Sequence, residues 1–182
     1  IRGLDRHGSE PSTKVAKEIQ KSDLTLSMCQ HSLAHSHARI NASKHTRFLS
    51  LPQIDIGLLR NPAMSVDFHA QAKTTRFFAD AFTHGKTVRI NSSSGTDVVL
   101  DITNRIGNYC PGFVQKAGDL GSPPDIEANI SPIEEASNGQ AIIDGSITCP
   151  EIGLVNECVN LKIIEGKITE ISSSNKNQLK TL

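Results

Sequence analysis

Apolar positions along the first third of the chain fall into two alternating rhythms. Residues 9–21, SEPSTKVAKEIQK, set Val15, Ala16 and Ile19 on one helical face behind Pro11, a residue suited to a first helical turn. DLTLSMC (23–29) switches to period two, with Leu24, Leu26 and Met28 alternating with polar residues as in a strand. SLAHSHARINASKH (32–45) returns to a helical rhythm through Leu33, Ala38, Ile40 and Ala42. RFLSLP (47–52) predicts a second strand closed by Pro52, and IDIGLLRN (54–61) a short helix. Helix, strand, helix, strand, helix is the order of parallel strands joined by crossovers, so a Rossmann-like half is expected.

DFHAQAKTTRFFADAFTHG (67–85) predicts the longest helix, with Phe68, Ala72, Phe78, Ala81 and Phe82 as its apolar face and His84-Gly85 as its stop. Beyond it the pattern changes to short strands and turns. KTVRINS (86–92) and TDVVLDIT (96–103) flank a turn and predict a hairpin. GQAIIDGSITC (139–149) and VNLKIIEGKITEIS (159–172) are each expected to fold back, at Asp144-Gly145 and at Glu165-Gly166. The fold class is therefore α/β, with residues 1–65 as an α/β N-terminal segment and 66–182 as a long helix followed by a β-rich segment with hairpins.

Charge narrows the function classes. Nineteen basic residues balance nineteen acidic ones over 182 residues, which argues against nucleic acid or an anionic membrane as a partner. No apolar run reaches the roughly 18–20 residues of a membrane-spanning helix. The cysteines, Cys29, Cys110, Cys149 and Cys158, are scattered rather than set out as a disulfide framework, so a reducing, cytoplasmic setting is expected. The chain opens on Ile1 and closes on the polar stretch SSSNKNQLKTL, and it is expected to be a fragment of a longer protein.

Most candidate chemistry has a plainer reading. His31 and His35 are four apart and would share a helix face as metal ligands can, but no carboxylate lies between them to serve as a base, and a polar helix start accounts for them. SSSGTDVVLD (92–101) leads into a strand rather than a helix N-terminus, so it reads as a hairpin turn and not a phosphate loop. Asp97 and Asp101 share a strand face that is either a site or a wet surface. Cys110, before Pro111-Gly112, has no histidine near it in sequence to activate it. In GSPPDIEANISP (121–132), alternation puts Ile126, Ala128 and Ile130 on one face and Glu127, Asn129 and Ser131 on the other. On pattern alone Glu127 is an exposed strand residue, although a carboxylate on a rigid strand after a Pro-Pro turn is also well placed to hold a cation.

Four stretches, SLAHSHARINASKHTRFLSLP (32–52), SGTDVVLDI (94–102), PPDIEANISPIEEASNGQAIIDGSI (123–147) and GLVNECVNLKIIEGKITEI (153–171), resemble in collinear order the aminopeptidase T family of metallopeptidases. That resemblance covers about residues 12–180 and implies an α/β N-terminal region, a two-metal centre of the zinc, cobalt or magnesium class, a peptide substrate and a homodimer. It makes Glu127 a metal ligand, with Asn129 and Ser131 contacting that carboxylate or the substrate. The glycine that precedes the family's glutamate is Ile126 here, and the second glutamate, His and His-x-Asp ligands of a later portion are not found, since no histidine follows His84. The same superfamily includes 2,5-dihydroxypyridine 5,6-dioxygenase, a ring-cleaving non-haem iron(II) enzyme that relies on those later ligands. Glu127 tilts the reading toward a metal-dependent aminopeptidase lacking its C-terminal ligands. The iron dioxygenase and a non-catalytic, truncated binding or assembly module are the alternatives.

Overall fold

The computed structural model describes residues 4–148 and 151–180, so Cys149, at the end of the hairpin predicted over 139–149, lies outside the described residues. The first elements in chain order are α1 (Thr13–Lys21), β1 (Leu24–Ser27), α2 (His37–Ala42), β2 (Arg47–Ser50), α3 (Ile56–Leu59), a 3-10 turn (Pro62–Ser65) and α4 (Phe68–His84). There follow β3 (Thr87–Asn91), β4 (Asp97–Asp101), β5 (Asn108–Cys110), β6 (Leu120–Gly121), β7 (Glu127–Asn129) and β8 (Asn138–Ile143). The chain continues through β9 (Ser146–Ile147), β10 (Gly153–Leu154), β11 (Val159–Ile164), β12 (Lys167–Ser172) and α5 (Lys176–Leu179). The fold is α/β. It divides into two compact units that interleave in sequence, Ile1–Ala79 with Asn108–Asn129, and Asp80–Gly107 with Ile130–Leu182. The boundary read near residue 65 falls inside the first of them.

In the first unit, β1, β2 and β6 form a parallel sheet in the order β1-β2-β6, as the alternating helix and strand signals imply. Register places Thr25, Phe48 and Leu120 in one row, and Phe48, 1% exposed, joins Ile19, Leu33 and Ala42 in the core. The period of β1 is as predicted and its face is not: Ser27 is buried while Leu24, Leu26 and Met28 are exposed. Phe48 on the neighbouring strand decides which side of the sheet meets the helices, and β1 must follow it. Buried Thr46 then ties sheet to helix, its Oγ1 lying 3.0 Å from the Ile19 carbonyl and 2.6 Å from that of Ser22 at the end of α1.

Capping residues shorten the predicted helices. Ser12 rather than Pro11 begins α1, its Oγ accepting from the Val15 N–H at 3.4 Å. Ser36 caps α2 at the Arg39 N–H, and the Glu10 carboxylate accepts from the N–H groups of His37 and Ala38 at 2.6 and 3.1 Å. Residues 31–36 are consequently a loop with Leu33 and Ala34 buried, so His31 and His35 share no helix face. α4 has the predicted length but buries Ala72, Thr75 and Ala79, a stripe of small side chains, and leaves Phe77 and Phe78 exposed.

The second unit holds an antiparallel sheet in the order β12-β11-β8-β4-β3. The turn over 92–96 closes β3 onto β4 as predicted, with the Ser92 N–H donating to the Thr96 carbonyl at 3.1 Å. Glu165 and Gly166, at φ 49° and 72°, turn β11 into β12, as two left-handed residues of a two-residue hairpin require. The Asp144-Gly145 hairpin does not form. β8 pairs with β4 and β11, and β9 pairs instead with β10. Leu161, Ala141 and Ile143 give β8 and β11 a shared apolar face, and that pairing outcompetes a local turn. Among the described residues no helix is long and apolar enough to cross a membrane.

Candidate functional site

A chemically varied concavity lies in the first unit, a cleft of about 860 Å³ lined by His35, Arg39, Arg76, β5, β7 and residues between Phe113 and Leu120. Its floor is a two-stranded ribbon. β5 pairs antiparallel with β7, putting Cys110 opposite Glu127, Tyr109 opposite Ala128 and Asn108 opposite Asn129. The cis Pro123-Pro124 bond and the Ser122–Asp125 bridge turn the chain into β7, and the Ser122 Oγ donates to the Ser50 carbonyl at 2.8 Å, anchoring that turn at the end of β2.

Period two puts Glu127 and Asn129 on one side, as predicted. The Asn129 Nδ2 donates to the Glu127 Oε1 at 2.5 Å, and the Asn108 Nδ2 donates to the Asn129 Oδ1 at 2.8 Å. This relay of amides fixes one carboxylate oxygen and leaves the other for a ligand. Ser131 lies in the second unit, exposed, and does not line the cleft.

The rest of the wall is cationic and aromatic. The Arg76 guanidinium stands 3.5 Å above the centre of the Tyr109 ring, a cation–π stack between α4 and β5. Half-buried Arg39 donates through Nε to the Ala34 carbonyl at 2.6 Å, and burial lowers its pKa, although a guanidinium stays charged at any ordinary pH. The Asp119 Oδ2 accepts from the N–H groups of Gln115 and Lys116 at 2.8 and 2.9 Å, so that carboxylate is committed to its own loop. Burial, then the charges of Asp125 and Glu127, push the Cys110 thiol upward; the protonated thiol is a poor nucleophile. Burial and Glu127 likewise raise Asp125.

The other sequence candidates have structural roles. His31 stacks edge-on against His7 at 5.0 Å and does not reach the cleft. Asp97 holds Arg89 through two 2.8 Å bonds, and Asp101 accepts from the Thr103 N–H at 2.8 Å. A concavity of about 700 Å³ in the second unit is the polar face of its sheet, where Lys162 and Glu170 stand opposite one another in register. Among the described residues no group of three or more His, Cys, Asp or Glu side chains is placed to hold a metal ion, so these residues do not make a metal centre by themselves.

The family model of NicX, 2,5-dihydroxypyridine 5,6-dioxygenase, matches residues 4–179. The chain belongs to this family. The structure of 2,5-dihydroxypyridine dioxygenase from Pseudomonas putida KT2440 superimposes with a TM-score of 0.78 at 17% identity, covering 100% of this chain and 53% of that one. At that identity the likeness shows the fold alone, and the chain spans about half the length of that protein. A search of curated proteins gave no match.

Family membership overturns the peptidase reading and its hydrolase chemistry; the resemblance to aminopeptidase T is not supported. The quoted motifs explain the confusion. SGTDVVLDI is the second half of the β3–β4 hairpin and IIEGKI the turn from β11 to β12, sequences that serve the fold rather than a reaction. A dioxygenase family implies a metal ion, but not one of the zinc, cobalt or magnesium class that came with peptide hydrolysis, since Zn²⁺ and Mg²⁺ exchange no electrons with dioxygen. Arg39, Arg76, Tyr109 and Lys116 were missed in the sequence because they come from three distant segments with no shared motif.

Proposed function

We propose that the cleft of the first unit binds a hydroxylated pyridine ring for cleavage by dioxygen, the reaction of the family. The observation that carries this reading is the pairing, in one cleft of a chain matched over residues 4–179, of an aromatic–guanidinium stack with an amide-oriented carboxylate. A flat ring lies against the Arg76–Tyr109 stack, and a ring hydroxyl donates to the free oxygen of Glu127. At about 860 Å³ the cleft has room for so small a ligand together with water.

The balance of the reaction follows from the family's description. The bond between ring carbons 5 and 6 breaks and each carbon gains one oxygen atom of dioxygen. Carbon 5, which carries a hydroxyl, becomes a carboxylic acid, and carbon 6 becomes a formyl group on the ring nitrogen. The 2-hydroxyl becomes an amide carbonyl, its proton moving to nitrogen. Electron transfer to dioxygen calls for a redox metal, iron(II) in this reading, when one is bound. The residues of this chain bind and orient the ring.

Titration of 2,5-dihydroxypyridine and of unsubstituted pyridine, followed by ultraviolet difference absorbance, tests the reading. Saturable binding of the dihydroxylated ring, at least about tenfold tighter than pyridine, is expected from one charge-assisted hydrogen bond. Equal affinity for the two, or no saturation with either, would contradict it.

A further inference from the structure

The ring is neutral and its cleaved product is an anion, and the cleft contains three cations that make no ion pair among the described residues. The ion pairs among the described residues are Lys21–Glu18, His37–Glu10, Arg89–Asp97 and Arg105–Glu134, so Arg39, Arg76 and Lys116 each lack one. All three line the cleft. Its two carboxylates, Asp119, held by backbone N–H groups of its own loop, and Glu127, held through one oxygen by Asn129, form no ion pair with these cations. Arg39 is the unusual member. It is half-buried, its Nε is spent on the Ala34 carbonyl, and its terminal nitrogens have no acceptor described in the protein. A partly desolvated guanidinium without a counter-charge is costly, and an anion that arrives with two oxygens in one plane removes that cost.

We infer that Arg39, supported by Lys116 and Arg76, forms a carboxylate subsite that holds the acid group created at ring carbon 5, making the cleft selective for the ring-opened, N-acylated half-amide of a cis-butenedioic acid. The inference rests on the ring-binding reading for the source of that acid. It gives each of the two ligands its own principal contact, Glu127 for the ring and Arg39 for the product, with Arg76 beside both. Burial of Arg39, which presses its pKa down when the cleft is empty, is the same desolvation that strengthens its hold on a carboxylate.

Isothermal titration of the 182-residue protein with maleamate, with maleamate methyl ester and with 2,5-dihydroxypyridine tests this. Maleamate is expected to bind at least about tenfold tighter than its uncharged ester. Arg39→Gln is expected to erase that preference, and Arg39→Lys, which keeps the charge but not the planar fork, to restore part of it. The comparison of acid with ester needs no variant, so it decides the matter even if loss of the bond to Ala34 unfolds Arg39→Gln. No binding of maleamate, or equal binding of acid and ester, overturns the subsite. Charge-dependent maleamate binding without any binding of 2,5-dihydroxypyridine supports the subsite and counts against the ring reading alone.

Discussion

Replacing Gly112 with alanine should be among the most damaging single-methyl changes in the first unit. Gly112 follows Cys110-Pro111 at the end of β5 and has φ 80°, a left-handed conformation that costs an alanine about 1–2 kcal/mol. An added Cβ would also lie 2.6 and 2.7 Å from two ring carbons of Phe68 and 3.0 Å from the Asp125 carbonyl oxygen. The Phe68 ring and the turn into β7 must both give way, at a further ~1–3 kcal/mol of overpacking. Gly118 supplies the control within the same unit. Its φ is 92°, but a Cβ there meets only the Ser43 carbonyl oxygen, at 3.4 Å. Gly118→Ala should therefore cost the backbone share alone, and Gly112→Ala about 2–5 kcal/mol in total. Urea unfolding followed by circular dichroism at 222 nm measures both, and with a slope of ~2 kcal/mol per molar the Gly112→Ala midpoint should fall by ~1–2.5 M. Adding Phe68→Ala should recover part of the difference between the two variants, because it removes the ring that the new methyl strikes. Equal losses in Gly112→Ala and Gly118→Ala would refute the reasoning.

Glu127→Gln, which keeps the shape and removes the charge, should weaken 2,5-dihydroxypyridine binding by about tenfold without shifting the urea midpoint; an unchanged affinity removes Glu127 from the site. Thr46→Val should cost about 1–2 kcal/mol, since the carbonyls of Ile19 and Ser22 lose their donor in the core; a loss under ~0.3 kcal/mol in urea unfolding would show that water replaces it. Asp97, Asp101 and Glu134 have pKa values lowered chiefly by hydrogen bonds, to Arg89, to Thr103 and from Glu134's own backbone. Their folded pKa values lie below the unfolded ones, so their stabilisation is complete above the ordinary carboxylate range and is lost as pH falls through and below it. Stability measured from pH 6 down to 2 should drop below about pH 4, and a flat profile would contradict this. Asp125 has the opposite sign, its folded pKa being raised, so Asp125→Asn should stabilise at pH 7 and make no difference at pH 2.5, with equal effects at the two values speaking against the shift.

The fold was legible wherever a rhythm or a turn residue acts locally. The parallel pair β1 and β2, the length of α4 and the hairpins at 92–96 and Glu165-Gly166 all follow from period and left-handed positions. Choices made by distant neighbours were not. Leu24 and Leu26 look like core residues until Phe48 takes the buried face, and Phe78 looks buried until the small stripe of Ala72, Thr75 and Ala79 proves to be the packed one. Asp144-Gly145 has good turn chemistry, but β8 finds longer partners in β4 and β11. For the cleft, alternation placed Glu127 and Asn129 on one side, yet nothing in either stretch announces Arg76 stacked on Tyr109 from 33 positions away. The function was misread for a related reason, because the motifs that carried the resemblance are hairpin turns, which report a shared fold and not the chemistry that fold supports.

The location of the bound ring tests the account most directly. At 19.7 kDa the protein suits amide nuclear magnetic resonance, and a titration with 2,5-dihydroxypyridine would map the ligand residue by residue. The account predicts saturable shifts gathered on residues 34–39, on Arg76 and its neighbours in α4, and on 108–120 and 127–129, with the sheet of the second unit unmoved. Shifts centred on β8, β11 and β12, or none that saturate, would contradict it.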